Sequence, residues 1–422
     1  MEAITKTHGN AINNYESSFK GQRWMVAHNG WNTKQDPPNQ VKTITQLLDY
    51  GVRGLALDVH PDGDKIVLKH GLSSDSQMDW QTVCDEIKDW LDKNTSEIVS
   101  LFFESYLPGP TDSDPDCLLA TLDNSLQQTG YYKTGKTLQT QALSKSLNDL
   151  AAASHRLFAF IEKTPDEGPQ ELMPEMPDVF AENMYGDASL DVNTWTDLRN
   201  DPVDSNYGNP FTFMNHFGNA PTQSERARNK VNLIQKHAKS FLFAYGGRYP
   251  NFISLDVINW ERTTGVNANA HDPIKAVTQL KFWQDVQVTD YKWDSKKGTD
   301  DYDINLAIYP HVDQPIQSFT VETGQGQGIT KIIGKRGAGK GIDKVQVYNH
   351  PGYGIVNLRY HTIDGGWSNW LTEFERPAKE NDYRDGNLAT HIVKNDWVVG
   401  YSCRLESGRG VTDFAIAYPV KK

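Results

Sequence analysis

Two apolar segments near the start of the chain each deliver a histidine: Met25-Val-Ala-His28-Asn29 and Ile66-Val-Leu-Lys-His70-Gly71. Between them, Gly54-Leu-Ala56-Leu-Asp58 delivers an aspartate in the same way. An unperturbed imidazole titrates near neutral pH, so two of them at one mouth can act as base and acid. Asn29, Asp58 and, further along, Glu104 offer hard oxygen donors. An amide carbonyl and two carboxylates, completed by water and a substrate oxygen, suit Ca²⁺ and suit zinc poorly. Two histidines beside such a cation suit attack on a phosphodiester. One takes a hydroxyl proton, the other protonates the leaving oxygen, and the cation offsets charge on phosphate.

Side chains of this kind must be carried by elements whose ends converge. From Trp24 to about Arg262 short apolar runs alternate with amphipathic ones. The runs read as strands at Trp24–Ala27, Gly54–Val59, Ile98–Glu104, Leu157–Ile161, Val179–Ala181, Phe211–Asn215 and Phe252–Val257. Helices are expected at Val41–Tyr50, Trp80–Lys93, Cys117–Gln128, Leu143–Ser154 and Gln223–Phe241, the second opened by Met78 or Asp79 and closed by Asn94. This alternation predicts parallel βα units and a TIM-type barrel, somewhat irregular, with an eighth strand in the Tyr131–Thr140 region. Nearly every strand then ends in polar residues: His28, Asp58 with His60, Glu104, Glu162 with Lys163, Glu182 with Asn183, Asn215 with His216, and Asp256. His60, beside a Pro-Asp-Gly turn, reads as a surface residue, and Arg53 as half of an ion pair below the barrel.

The chain has 422 residues, enough for one large and one small domain. Its net charge of -12, without a dense Lys/Arg cluster, argues against a nucleic-acid surface. No apolar run is long enough to span a bilayer as a helix. Three cysteines in no metal spacing leave at most one bridge, Cys84–Cys117. Past Phe282 the texture changes to short alternating runs separated by Gly, Asp and Asn, which predicts an all-β domain over 282–422 after a barrel over 1–281. Three Gly-x-Gly turns, at Gly326, Gly339 and Gly408, each precede a β-branched strand start, a pattern shared by a sandwich and a three-sheet, lectin-like prism.

The stretch Trp24–Trp260 resembles the catalytic X domain of the phosphatidylinositol-specific phospholipases C, closest to the secreted bacterial, fungal and plant members. The resemblance rests on His28-Asn29, Gln46-Leu-Leu-Asp-Tyr-Gly-Val-Arg53-Gly-Leu-Ala-Leu-Asp58, Lys69-His70-Gly71, Ile98–Glu104, Phe180-Ala-Glu-Asn-Met-Tyr-Gly186, Phe213-Met-Asn215-His216-Phe217 and Arg248–Asp256. It implies His28 as the base for the inositol 2-hydroxyl, His70 as the acid for the diacylglycerol oxygen, and inositol 1,2-cyclic phosphate as first product. Asn29, Asp58 and Glu104 become Ca²⁺ ligands, and Asp256 the acidic partner of His28. Lys163, Glu182, Asn215 and His216 become candidates for holding the sugar head group. One departure stands out: calcium-dependent animal enzymes carry a glutamate where this chain has Ala56. The resemblance further implies a phospholipid substrate at a membrane surface and secretion, although Met1 to Lys20 lacks the apolar stretch of a signal peptide. The aromatic C-terminal part, with Trp367, Trp370 and Trp397, reads either as a stabilising appendage or as a module that binds glycan or lipid. Two rivals share the fold: a carbohydrate- or membrane-binding protein that has lost turnover, and a phosphodiesterase for another lipid head group.

Overall fold

The computed structural model describes residues 19–33, 38–70, 77–108, 117–162, 172–186, 198–200, 211–218, 229–245, 248–258, 273–280, 286–288, 299–304, 315–324, 328–336, 341–350, 354–372, 388–393, 398, 400–406 and 410–419. The chain forms two compact units. One comprises Met1–Leu190, Asp197–Gln235 and Pro250–Lys281, the other Asp191–Thr196, Lys236–Tyr249 and Phe282–Lys422.

The first unit is built on strands β1 (Trp24–Ala27), β2 (Gly54–Asp62), β3 (Lys65–Leu68), β4 (Met78–Asp79), β5 (Val99–Ser105), β6 (Leu157–Ile161), β7 (Phe180–Asn183), β8 (Leu198–Asn200), β9 (Phe211–Asn215) and β10 (Phe252–Leu255). Seven of them run parallel, in the order β6-β5-β2-β1-β10-β9-β7. A Phe-rich core unites all seven: Trp24, Ala56, Phe102, Phe160, Phe180, Phe213 and Phe252 meet in one cluster. Phe102 stands edge-on to Phe180, Phe213 and Phe252 at centroid distances of 5.7, 4.9 and 5.1 Å, an edge-to-face geometry that aromatic quadrupoles favour. Gly54 allows this closeness, because a Cβ there would lie 2.6 Å from Val26 Cγ2.

The expected eighth strand is not found. Tyr131–Thr140 supplies one isolated bridge, Tyr132 to Leu157, and then enters the helix Lys136–Ala142. Among the described residues no ladder joins β6 to β7, and the parallel sheet bends around one core without a regular closed barrel being shown. The segment ending in His70 also departs from a barrel strand. β2 overshoots the sheet and β3 folds back on it antiparallel, with Val59 opposite Leu68.

Local chemistry sets the helices. Thr43 and Gln46 form a reciprocal capping box at the start of Ile44–Tyr50, and Gly51, at φ 114°, takes the left-handed position that ends it. Asp79 accepts from Thr82 N to open Trp80–Lys93, and Asn94 closes it. Arg53 is buried in an ion pair with Glu97 (2.7 Å) and lies over Trp90, so its role is structural. Cys84 and Cys117 are both buried thiols outside any disulfide, which removes the Cys84–Cys117 bridge.

The second unit is antiparallel, with β11 (Val286–Val288), β12 (Thr299–Ile304), β13 (Ile316–Thr323), β14 (Ile329–Arg336), β15 (Ile342–His350), β16 (Gly354–Thr362), β17 (Gly366–Trp367), β18 (Leu388–Ile392), β19 (Gly400–Glu406) and β20 (Gly410–Pro419). They form three sheets: β11-β20-β19-β12, β13-β14 and β17-β16-β15-β18. One apolar core, including Phe319, Ile332, Val345, Leu358 and Phe414, is shared by all three. The second glycine of each Gly-x-Gly turn stands at the start of a strand, before β14 and β15 and as the first residue of β20. Trp397 lies outside the described residues.

Candidate active site

Parallel pairing brings the C-terminal strand ends together, because each strand is registered on the next. Asp58 on β2 pairs with Glu104 on β5. The amide of His28, just past β1, donates to Leu255 O on β10, and that of Glu162, just past β6, to Phe103 O on β5. Lys69 N donates to Asp58 O, which returns the hairpin and places His70 at the same mouth. The result is a cavity of ≈ 310 Å³ whose wall includes His28, Asp58, His70, Glu104, Glu162, Glu182, Arg199 and Asn215. That volume lies at the low end for small-molecule sites.

His28 is held on two sides. Its Nδ1 lies 2.9 Å from Asp256 Oδ1, and its ring stacks on Phe217 at 3.7 Å and 8°. Asp256 is itself fixed. Asn39 Nδ2 donates to the same Oδ1 at 3.1 Å, and Asn229 Nδ2 donates to Asp256 O. The following residue, Val257, sits at φ 48°, where a β-branched side chain is strained, and Asn39 O accepts its amide. This arrangement turns His28 Nε2 away from its carboxylate partner, as a proton-transferring imidazole requires.

Electrostatics splits the two histidines. Burial disfavours charge on His28, but Asp256, with Asp58 and Glu104 behind it, outweighs burial and holds its pKa above the usual imidazole value. Burial and the charge of His28 push His70 below it. Burial, reinforced by Glu104, lifts the Asp58 carboxyl from 3.8 to about 7, against the pull of His28 and Arg199.

Asn29 is buried beside Asp58 and takes a left-handed backbone at φ 45°. With its nitrogen toward the carboxylate, its amide donates to both Asp58 oxygens, at 3.0 and 3.2 Å; with its oxygen there, three acceptors converge. The first orientation suits the protein alone and the second a cation between them. Among the described residues no group of three or more His, Cys, Asp or Glu is arranged to hold a metal ion. Ala56 lines the cavity and also packs on the Phe-rich core. The donors therefore fit a hard cation in type and supply few ligands, as an open site would.

The head-group candidates separate. Glu182 and Asn215 are buried on the wall, with Asn215 Nδ2 donating to Glu182 Oε1 at 2.8 Å. His216 is fully buried and is not among the residues of the cavity wall, while Lys163 lies outside the described residues. His60 is off the wall as well. It stacks on Tyr106 at 4.1 Å, and the Tyr106 hydroxyl donates to Glu104.

Three contributors received no individual role from the sequence. Asn39 orients Asp256 from a polar loop without any periodic signal. Phe217 was legible only as part of a motif. Arg199 comes from β8, a strand of three residues that pairs antiparallel to β7. The register slips between Glu182 and Asn183, opposite Arg199, the kind of irregularity that re-aims a side chain. Its guanidinium contacts Glu162 and lies 3.4 Å from Glu182.

A family model described as PI-PLC X 1 matches residues 23–270. A PI-PLC X domain-containing protein of Arabidopsis thaliana is 23% identical over 254 residues, 56% of this chain and 58% of that protein. The chain thus spans less than two thirds of that relative's length. Among solved structures, a double mutant of the phosphatidylinositol-specific phospholipase C from S. aureus matches at TM-score 0.44 and 10% identity, covering 66% of this chain and 98% of that one. The phosphatidylinositol-specific phospholipase C of Listeria monocytogenes matches at TM-score 0.40 and 13% identity, covering 64% and 96%.

Proposed function

The chain belongs to the PI-PLC X domain family, and from that premise we propose that it cleaves phosphatidylinositol or a related inositol phospholipid to diacylglycerol and inositol cyclic phosphate. The observation that carries the reading is the pairing of His28, backed by buried Asp256, with His70 on one cavity wall. His28 Nε2 takes the proton of the ring 2-hydroxyl. The oxygen so freed attacks phosphorus, the bond from phosphorus to the diacylglycerol oxygen breaks, and His70 gives that oxygen its proton. The proton inventory closes when His70 later recovers one from solvent or from His28.

In the free protein the two imidazoles are poised the other way, with His28 favoured as the charged ring and His70 as the neutral one. Substrate phosphate supplies the negative charge that raises His70. Asn29, Asp58 and Glu104 would hold Ca²⁺, which would supply positive charge to the reaction and would offset two of the carboxylates that raise His28. We place the catalytic unit in 1–281 and assign 282–422 an attachment role at a glycan or lipid surface, as a prism-like module of a secreted protein. Support for that role is the half-exposed Trp367, whose ring and that of Trp370 lie 4.8 and 4.7 Å from the Arg359 guanidinium. Ala56, where a further carboxylate ligand is missing, favours as second reading a binding protein without turnover.

Phosphorus NMR of phosphatidylinositol vesicles, with calcium and then with chelator, separates these readings. Cyclic phosphate formed only with calcium is the expected result. Cyclic phosphate in both conditions keeps the histidines and removes the metal. No product from accessible vesicles rejects inositol-lipid turnover.

A further inference from the structure

β1 and β10 lie side by side, and each delivers one half of the His28–Asp256 pair just past its paired residues. Their ladder ends at Ala27 opposite Leu255, one position before His28 and Asp256. Both strands then bend sharply. Asn29 sits at φ 45° and Val257 at φ 48°, a left-handed region that such residues occupy only when their surroundings hold them there. Gln40 bridges the two strands at this point. It is fully buried and is not among the residues of the cavity wall. Its Nε2 donates to His28 O at 2.7 Å and to Leu255 O at 2.9 Å, so one amide group joins both strands. Its Oε1 accepts from Ile258 N at 3.1 Å, on the far side of the second bend. Its own backbone amide donates to Asn32 O, and Asn32 N donates to Asn29 O, which ties the bridge to the first bend.

The partners fix which way the Gln40 amide points, since two are carbonyls and the third is an N–H. All three belong to the backbone on either side of His28 and Asp256, so Gln40 acts on where the two side chains start from. Asn39 works on the same strand end: its O accepts from Val257 N, and its Nδ2 donates to Asp256 Oδ1 while Asn32 Nδ2 donates to its own Oδ1. The bond so protected is the 2.9 Å contact of His28 Nδ1 with Asp256 Oδ1, which a displacement of about 0.5 Å in either strand would leave poor. We propose that Gln40 is a positioning residue of the reaction: by joining the carbonyls of His28 and Leu255 and holding Ile258, it keeps the His28 imidazole on Asp256 with Nε2 free for the substrate hydroxyl. This role rests on the phospholipase C-type reading of the same cavity.

The test uses two variants of the full chain. Gln40→Met keeps the length and removes every hydrogen bond of the side chain. Gln40→Asn keeps the amide but is one methylene short of spanning both strands. With phosphatidylinositol vesicles, kcat should fall about 10- to 100-fold in Gln40→Met and less in Gln40→Asn, the scale of a misplaced catalytic group. KM should stay within about twofold, because Gln40 does not line the cavity. Ring nitrogen NMR of the neutral His28 imidazole, without lipid and with chelator, gives a second reading. The proton should sit on Nδ1 in the unaltered protein and be shared with Nε2 in the variants. A purely structural role would lower the melting temperature and leave both the tautomer and kcat per folded molecule in place, and that result overturns the proposal. So does failure of both variants to fold, since positioning must be separable from folding. A tautomer shift in the variants supports the positioning of His28 even where the unaltered protein cleaves no inositol lipid; absence of cleavage overturns the reaction on which the role rests.

Discussion

Replacing Asp58 by asparagine should stabilise the metal-free protein, and should do so only where the wild-type carboxyl is forced to ionise. In the folded state this group titrates at about 7, against an ordinary 3.8. The folded protein therefore holds a proton that the unfolded chain releases across that interval, and its stability falls as pH rises from about 4 to about 7. The gap of about three pH units, at about 1.36 kcal/mol each, makes this loss about 4 kcal/mol at pH 8. Part of the gain is returned: Asn29 can donate to both Asp58 oxygens, and the variant keeps one of these acceptors, at a cost of about 1 kcal/mol. A net gain of about 3 kcal/mol remains at pH 8, and close to none below pH 4. Urea unfolding followed by circular dichroism, with chelator present at both pH values, measures the difference. Calcium at pH 8 should then stabilise the wild type more than the variant. A variant that is equally stabilised at both pH values, or destabilised at pH 8, would refute the charge-crowding account of the cavity.

Other outcomes follow from the same geometry. Asp256→Asn should keep the hydrogen bond, because Asn39 continues to donate to the retained Oδ1, and so isolates the charge. The His28 pKa should drop, read from its imidazole NMR shifts, and kcat/KM should fall about 10-fold, the excess of a charge-assisted bond over the neutral one that remains. Phe217→Leu removes the ring stacked on His28 and should cost about 0.5–1.5 kcal/mol in kcat/KM, with the melting temperature showing whether the loss is confined to the site. Glu97→Ala strands the buried Arg53 charge and should cost about 3–5 kcal/mol of stability without moving the pH profile of surviving activity.

Much of the fold was legible because parallel strands buried on both faces read as unbroken apolar runs, and all seven predicted strands were of that kind. The single bridge and helix found at Tyr131–Thr140 were illegible for a related reason. Tyr131–Thr140 has the polarity of an edge segment, and whether such a segment pairs along its length or at one residue depends on its neighbours. The hairpin of β2 and β3 shows the same limit. Histidine at a segment end was read correctly, but His70 reaches the mouth by folding back on β2 rather than by standing at the end of a barrel strand. Register carried the rest: Asp58 and Glu104 are adjacent because β2 and β5 are in step.

Partnerships were harder to read than residue types. His28 and Asp256 lie 228 positions apart, and their pairing was reached through family resemblance rather than spacing. Arg199 lies 37 positions from Glu162 and 17 from Glu182, in a stretch whose three-residue strand leaves no periodic trace. It also changes what the acidic residues mean. Read one at a time, Glu162 and Glu182 were strand-end carboxylates, equally suited to capping, ligation or sugar binding. Locked to one guanidinium, they become a fixed array that offers acceptors and donors but little uncompensated positive charge. Asp58, left without such a lock, has its acidity displaced upward by burial. Charge compensation therefore divides the cavity into an end where Arg199 partly offsets Glu162 and Glu182 and an end where, among the described residues, the Asp58 carboxyl is left without a basic partner of its own.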